Sequence, residues 1–250
     1  MSKAYLENFW DTEQKNVLFV LMPFHKKLDK KFKAINTIAK KVGLECAERI
    51  DRNLTSDLIP NKILYNIANS KFLLFDLSDD PKHYSCKQIN GSVLYELGMA
   101  RAIREESDML IIRDKKSKST IPFNIQQLPR HELDETLNGL ERLLRDALEN
   151  QQWHKGKRVR ATAEKLDMYP FMLKNIINEH YRNIPEGEPD HFYHIPSTDL
   201  FTQLSINRLL DFGILRLGTG KQATELSYNW TPFGRAVLKS LNIEKKPKTQ

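Results

Sequence analysis

Two carboxylates, Asp76 and Glu96, are the residues whose type and position best suit chemistry. Asp76 is the last residue but one of the apolar segment KFLLFDL, and Glu96 lies in the first turns of SVLYELGMARAI, a segment of helical character. Paired carboxylates at one cleft can attack a glycosidic bond. Glu96 would act as a nucleophile or stabilise an oxocarbenium-like centre, and Asp76 would position a sugar or move a proton. We therefore predict carboxylate chemistry without a metal or another cofactor.

The same two residues also have an ordinary structural interpretation. A carboxylate in the first turns of a helix commonly complements the helix dipole, and an aspartate that ends a strand commonly forms a turn. Spacing alone leaves both interpretations open for Asp76 and Glu96.

Alternating strands and helices are expected to position these side chains. The apolar runs predict strands at residues 16–24, 44–50, 71–77, 108–113 and 121–125. Apolar residues at helical spacing predict helices at 27–42, 56–70, 136–152 and from Ser92 onward. This order predicts an α/β fold, a doubly wound parallel sheet of the Rossmann or flavodoxin-like type with right-handed crossovers.

The expected binding site follows from that sheet. Ligands of open parallel sheets bind at the carboxyl ends of the strands, where the strand order reverses. The first strand brings Met22, Pro23 and Phe24 to this edge. The third strand brings Asp76, with Asp79 and Asp80 just beyond it. The sequence thus predicts one cleft that contains two carboxylates and an aromatic ring.

Basic residues near this edge are candidates for contacts with a phosphate. Arg49 ends the second predicted strand, and Lys82 and Lys87 lie in the polar segment before Glu96. For Arg49 the alternative is a surface ion pair with Glu48 or Asp51, and for the two lysines it is a solvated loop.

The pattern changes after about residue 155, where helical segments dominate. Helices broken near Pro170, a helix at 198–212, strands at 214–217 and 226–230 and a final helix predict a smaller, winged-helix-like domain. We assign residues 1–153 to the α/β domain and 154–250 to the winged-helix-like domain.

A winged helix suggests a nucleic-acid interface, although the supply of cations is small. The candidates for contacts with phosphates or bases are Arg208, Arg216 and Lys221. A module for dimerisation or for docking a protein partner is the open alternative.

Composition and charge narrow the class of protein. Hydrophobic residues make up 40% and charged residues 28% of the 250 residues, which argues against a disordered or coiled-coil chain. The longest strongly apolar stretch, residues 17–24, is far shorter than a membrane-spanning helix, so no membrane partner is expected. The chain has only two cysteines, which fits a reducing compartment and predicts a cytoplasmic location.

Several segments together resemble a known superfamily. FVLMPF, LLFDLS, SVLYELGMARAI, DMLIIRD and IPFNI are similar to nucleoside 2-deoxyribosyltransferase-like proteins and their neighbours with TIR-like nucleotide hydrolase activity. The resemblance covers roughly residues 16–130, and YELGMA is its most specific part.

The resemblance implies roles for individual residues. Glu96 matches the family's nucleophile, which attacks the anomeric carbon of a nucleoside and releases the base. Asp76 matches an acidic residue at the third strand, and Phe24 matches an aromatic in the first-strand loop. Further substrate contacts are expected from Met22, Pro23, Asp79, Ser92 and Tyr95. A neighbouring subunit often completes the cleft in this family, which implies a homo-oligomer.

One departure from the family pattern favours hydrolysis over base exchange. Deoxyribosyltransferases usually have D-x-G-T-x-x-E before the helix, whereas this chain has NGSVLYE. We therefore expect an N-glycosidase-type hydrolase or transferase that cleaves the base–sugar bond of a nucleotide such as NAD. Fusion to a winged helix resembles bacterial anti-phage effectors. The alternative is a non-catalytic nucleotide-sensing module coupled to a DNA- or protein-binding winged helix.

Overall fold

The protein divides into two compact units between Trp153 and His154. The computed structural model describes residues 14–50, 59–83, 88–169, 173–183, 191–194, 199–218 and 226–245. Among these residues, no helix combines the length and the apolar character needed to cross a bilayer.

The first unit is built on five parallel strands in the order β2-β1-β3-β4-β5. The strands are β1 (Lys15–Leu21), β2 (Cys46–Glu48), β3 (Ser70–Asp76), β4 (Met109–Asp114) and β5 (His131–Leu133). The helices are α1 (Asp29–Lys41), α2 (Ile59–Asn69), α3 (Gly91–Ile103) and the beginning of α4 (Leu140–Asp167). This order is the flavodoxin-like one, so the predicted doubly wound α/β sheet is confirmed.

Both faces of the central strands are buried, as their unbroken apolar sequences require. On one face, Leu18 and Val20 of β1 and Phe72 and Leu74 of β3 form a core. The helices on this face, α1 and α4, contribute Ile35, Ala39, Leu140, Leu144 and Leu148. The intervening residues of the same strands are also buried, and α2 and α3 pack on that opposite side.

The fifth strand differs from the prediction. Residues 121–125 do not form a strand: Phe123–Ile125 is a turn of 3₁₀-helix, and β5 follows at His131–Leu133. Pro122 has no N–H to donate to a sheet, and the side chain of Phe123 is 86% exposed, so this short apolar segment has neither the hydrogen bonding nor the burial of an inner strand.

The second unit combines helices with a small antiparallel sheet. The sheet order is β6-β8-β7, with β6 (His191–His194), β7 (Leu215–Gly218) and β8 (Leu226–Trp230). The end of α4, a π-helix (Leu173–Arg182), α5 (Leu200–Asp211) and α6 (Pro232–Ser240) accompany it. These are the elements expected of a winged-helix-like domain, except that the sequence did not predict β6.

The helix α4 is also longer than predicted. It was expected to end at residue 152, but it continues to Asp167. Its first turns contribute to the core of the first unit, whereas Ala163 and Leu166 belong to the core of the second unit.

Candidate active site

A cavity of about 320 Å³ opens at the carboxyl end of β1, beside the start of α3. The strand order reverses between β1 and β3, so the cavity lies where doubly wound sheets bind their ligands. Its volume falls within the range of small-molecule sites. Besides Glu96, the residues that line it include Met22, Phe24, Arg49, Lys82, Asn90 and Ser92.

Glu96 lies on α3 and contributes to the wall of this cavity. Among the described residues, its carboxyl group has no hydrogen bond or ion pair. Burial raises the pKa of Glu96 to about 7 from its ordinary value of 4.5, because the charged form loses hydration that no neighbour replaces. A carboxyl group that titrates near neutral pH in a cavity is suited to proton transfer or nucleophilic attack.

The start of α3 is fixed by Asn90 rather than by the predicted Ser92. The side-chain oxygen of Asn90 accepts hydrogen bonds from the backbone N–H groups of Ser92 and Val93. These two N–H groups are therefore occupied and do not bind an anion at the start of the helix. Asn-Gly before an apolar helix is the signal that could have identified this cap.

The buried carboxylate of Asp80 holds the capping residue Asn90 in place through a hydrogen bond. Asp80 is 2% exposed and accepts a hydrogen bond of 2.7 Å from the side-chain N–H of Asn90. It also accepts from the backbone N–H of Lys82 at 3.0 Å. Asp80 thus connects two residues of the cavity wall, a role that the sequence did not predict.

Asp76 does not lie at the Glu96 cavity. It shares the face of β3 with Phe72 and Leu74, where its carboxylate contacts Lys31 of α1 at 2.5 Å. Asp76 is fully buried and also accepts hydrogen bonds from Ser78. Because α3 packs on the opposite side of the sheet, the expected convergence of Asp76 and Glu96 is not found.

Three more of the predicted substrate contacts lie outside the lining of this cavity. Pro23 is buried. Tyr95 is 70% exposed on α3. Asp79 accepts hydrogen bonds from the backbone N–H groups of Lys118 and Ser119. Burial alone would raise the pKa of Asp79, but these hydrogen bonds outweigh it and hold the pKa below its ordinary value. Met22, Phe24 and Ser92 do line the cavity.

Arg49 reaches the cavity, but its ion pair differs from the one considered in the sequence. It pairs with Asp29 of α1 at 2.5 Å rather than with Glu48, while Asp51 lies outside the described residues. Its guanidinium carbon also lies 4.9 Å from the ring centre of Phe24 and 4.5 Å from that of Phe32.

Two of the three predicted nucleic-acid contacts of the second unit lie among the described residues. Arg208 of α5 lies 3.7 Å from Asp211 on the same helix. Arg216 is exposed on β7, and Lys221 lies outside the described residues. On the same helix as Arg208, Ser205 is buried and donates a hydrogen bond to the carbonyl of Phe201.

No metal-binding cluster is found in the part of the chain that the structure describes. No three or more histidine, cysteine, aspartate or glutamate side chains there are grouped so that they could hold a metal ion. The lining of the Glu96 cavity combines apolar, aromatic and basic side chains.

Comparisons with known proteins add little. No family model matches the chain, and no curated protein matches it. Among solved structures, the chain is similar to the metal-soaked Flv1 flavodiiron core from Synechocystis sp. PCC6803, with 11% identity and a TM-score of 0.38. The match covers 56% of this chain and 37% of that one, so this chain spans well under two thirds of that structure's length. A likeness at this level bears on neither ligand nor activity.

Proposed function

We propose that the protein is an N-glycosidase-type enzyme that cleaves the base–sugar bond of a nucleotide, with Glu96 as the nucleophile. One observation carries the proposal: a carboxyl group that has no partner among the described residues, and whose pKa is raised to about 7, lies in a cavity at the switch point of a doubly wound sheet. The resemblance of the YELGMA segment to deoxyribosyltransferase-like proteins supports the same assignment.

The proposed reaction proceeds in two steps. An ionised oxygen of Glu96 attacks the anomeric carbon, and the bond from this carbon to the base breaks. The base leaves with the electron pair: a neutral nucleobase then takes a proton from water, whereas the cationic nicotinamide of NAD leaves as a neutral molecule. Another water hydrolyses the glycosyl ester: its oxygen bonds to the anomeric carbon, the carboxylate of Glu96 is restored, and the remaining proton passes to the solvent. The cavity wall that desolvates Glu96 also makes its ionised form a stronger nucleophile.

Base release from purified protein tests this proposal. The protein is incubated with NAD and with a panel of ribo- and deoxyribonucleotides, and free base is measured by chromatography. We expect Glu96→Gln to lower the rate by about a thousandfold or more, because an amide is a poor nucleophile. The matched control, Glu149→Gln, changes an exposed glutamate on α4 and leaves the rate unchanged.

The outcomes separate the enzyme from the alternative. Equal base release by wild type and Glu96→Gln would remove the nucleophilic role. Thermal stabilisation by a nucleotide without any product would support the nucleotide-sensing module instead. A dependence of the rate on pH provides a further check: the rate should rise towards a plateau above pH 7, since attack requires the ionised form of Glu96.

The wider setting is part of the same proposal. The resemblance implies a cytoplasmic homo-oligomer with a role in defence against phage, in which the second unit binds nucleic acid or a protein partner. The helices and the small antiparallel sheet of the second unit support a separate binding role.

A further inference from the structure

A second cavity, of about 630 Å³, adjoins the Glu96 cavity in the first unit. Phe24 and Arg49 line both cavities, so the two spaces share a wall. We call the second space the Arg49 cavity. Besides these two residues, its lining includes Lys15, Phe32, Glu48 and Lys62.

The charges of the Arg49 cavity favour an anion. Lys15, Arg49 and Lys62 line it, and Glu48 is the single acidic residue among its lining residues. Lys82, another cation, lines the neighbouring Glu96 cavity. Both Lys15 and Lys62 are exposed, so their ammonium groups are accessible to a ligand.

Another lysine-rich cavity of this unit differs in its charge balance. It lies near the ends of β3 and β4, and its lysines face an almost equal number of carboxylates. Lys31 there pairs with Asp76, and Lys116 pairs with Glu135. Arg49 is likewise paired, with Asp29, but Lys15 and Lys62 have no ion pair among the described residues. The lining of the Arg49 cavity therefore has the larger excess of positive charge, which makes it the better candidate for an anionic ligand.

Arg49 itself is held in place with part of its hydrogen-bonding capacity unused. One terminal nitrogen, Nη2, donates to Asp29, and the guanidinium lies against Phe24 and Phe32. The other, Nη1, is buried and has no hydrogen-bond partner among the described residues. Buried N–H groups normally have hydrogen-bond acceptors. An arginine whose Nη2 is held by a carboxylate can donate from Nη1 to a phosphate. Since Nη1 is closed to solvent, an acceptor reaches it only when the surrounding side chains shift.

We propose that the ligand of this protein carries a phosphate, which binds in the Arg49 cavity while its sugar lies beside Glu96. This inference rests on the proposed function for the position of the sugar, and it adds the place at which the phosphate of the nucleotide binds. Arg49 is the principal phosphate contact, and Lys15 and Lys62 add charge at the open side.

Binding measurements without turnover test the inference. The probes are the four common ribonucleosides, their 5′-monophosphates and inorganic pyrophosphate, with Glu96→Gln protein in a calorimeter at constant ionic strength. We expect at least one nucleotide to bind about tenfold or more tightly than its nucleoside. In the Glu96→Gln protein, the additional change Arg49→Gln should remove most of the preference for the nucleotide over the nucleoside. The affinity for the nucleoside should change about twofold or less.

Matched variants control for net charge and for folding. Arg142→Gln removes an exposed arginine of α4 and should leave the preference intact. Because Arg49 contacts Asp29 and two rings, Arg49→Gln could weaken the fold, so Lys15→Gln/Lys62→Gln provides a second test on exposed residues. This double variant should reduce the preference by about threefold or more.

The results distinguish this inference from the proposed function. Two results would overturn the Arg49 cavity as a phosphate site. One is equal affinity of the Glu96→Gln protein for nucleosides and nucleotides. The other is an unchanged preference for nucleotides after Arg49→Gln and after Lys15→Gln/Lys62→Gln, when both variants are folded. A phosphate preference that depends on Arg49, combined with no base release from any nucleotide, would leave this inference standing and overturn the N-glycosidase. Base release from free nucleosides and nucleotides at equal rates would support the N-glycosidase and overturn the Arg49 cavity as a phosphate site.

Discussion

At the scale of single residues, the environment of Glu96 links the proposed chemistry to the stability of the fold. The structure gives its carboxyl group no partner among the described residues, and burial favours the neutral form. The folded protein therefore binds this proton more tightly than the unfolded chain does. The wild type loses stability as the pH rises from about 4.5 to about 7 and keeps the lower stability above that range.

Replacement of Glu96 by glutamine should remove this pH dependence. Relative to the wild type, the free energy of unfolding of Glu96→Gln should gain about 1–3 kcal/mol between pH 4.5 and pH 8, because the amide never ionises. Urea titrations at several pH values measure the difference. Glu149→Gln, on an exposed position of α4, should follow the wild type. A constant difference across the pH range would show that Glu96 is not desolvated.

Asp76 is expected to matter for stability. Its carboxylate is fully buried against Lys31, whose side chain is 16% exposed. Asp76→Asn should lower the free energy of unfolding by about 3 kcal/mol, since the change leaves Lys31 without its buried partner. Asp76→Asn/Lys31→Met, which removes both charges, should recover part of the loss. Urea denaturation provides the measurement, and wild-type stability in Asp76→Asn would contradict this role.

The two carboxylates also show what the sequence could and could not predict about the site. The apolar helix around Glu96 and its place after β3 were sufficient to bring it to the sheet edge. Asp76 follows the same alternation as Phe72 and Leu74, and which helices cover that face depends on the strand order. The sequence alone did not specify that order, so the opposite orientations of Asp76 and Glu96 were missed.

At the scale of elements, a buried arginine at the end of α3 joins two parts of the first unit. Arg104 is 4% exposed and pairs with Asp108 at 2.8 Å. Its guanidinium also donates to the carbonyl groups of Ile67, Ala68, Ser70 and Lys71. These carbonyls belong to the end of α2 and the start of β3, so Arg104 satisfies groups that a helix end leaves open.

Loss of this arginine should destabilise the first unit strongly. Arg104→Met should lower the free energy of unfolding by about 3–5 kcal/mol, because Asp108 and several carbonyl groups lose a buried donor. Gln151 also donates to Asp108, at 2.6 Å, which limits the loss. Arg101→Met, an exposed arginine on the same helix, should cost less than about 1 kcal/mol. Chemical denaturation of both variants measures the difference, and equal effects would contradict this account.

The elements that the sequence located well are those with long, continuous patterns. β1 and β3 are buried on both faces, and their apolar runs are long enough to identify them. The three-residue β5 has a weaker signal, since it contains His131 and Glu132. The more apolar residues 121–125 were predicted in its place, but Pro122 prevents regular pairing there. Short edge strands depend on tertiary pairing more than on local composition.

At the scale of the whole molecule, the parallel sheet was predictable because strands and helices alternate along residues 15–114. The cavity required more information, since Arg49, Asn90 and Glu96 come from three separate parts of the chain. The polar contacts that position them, such as Asp80 to Asn90, involve residues that spacing alone would assign to a loop. The general location of the site was thus predictable, and its composition was not.

The helix α4 has a practical consequence for work on the separate units. It has 28 residues, or about 42 Å of continuous helix, and the division at residue 153 falls near its middle. A fragment that stops or starts at that point would contain half of this helix, and the cut would expose unpaired backbone groups. Expression of either unit alone should therefore include residues 140–167 in full. The apolar residues of this helix that belong to the core of the other unit should then be replaced by polar residues.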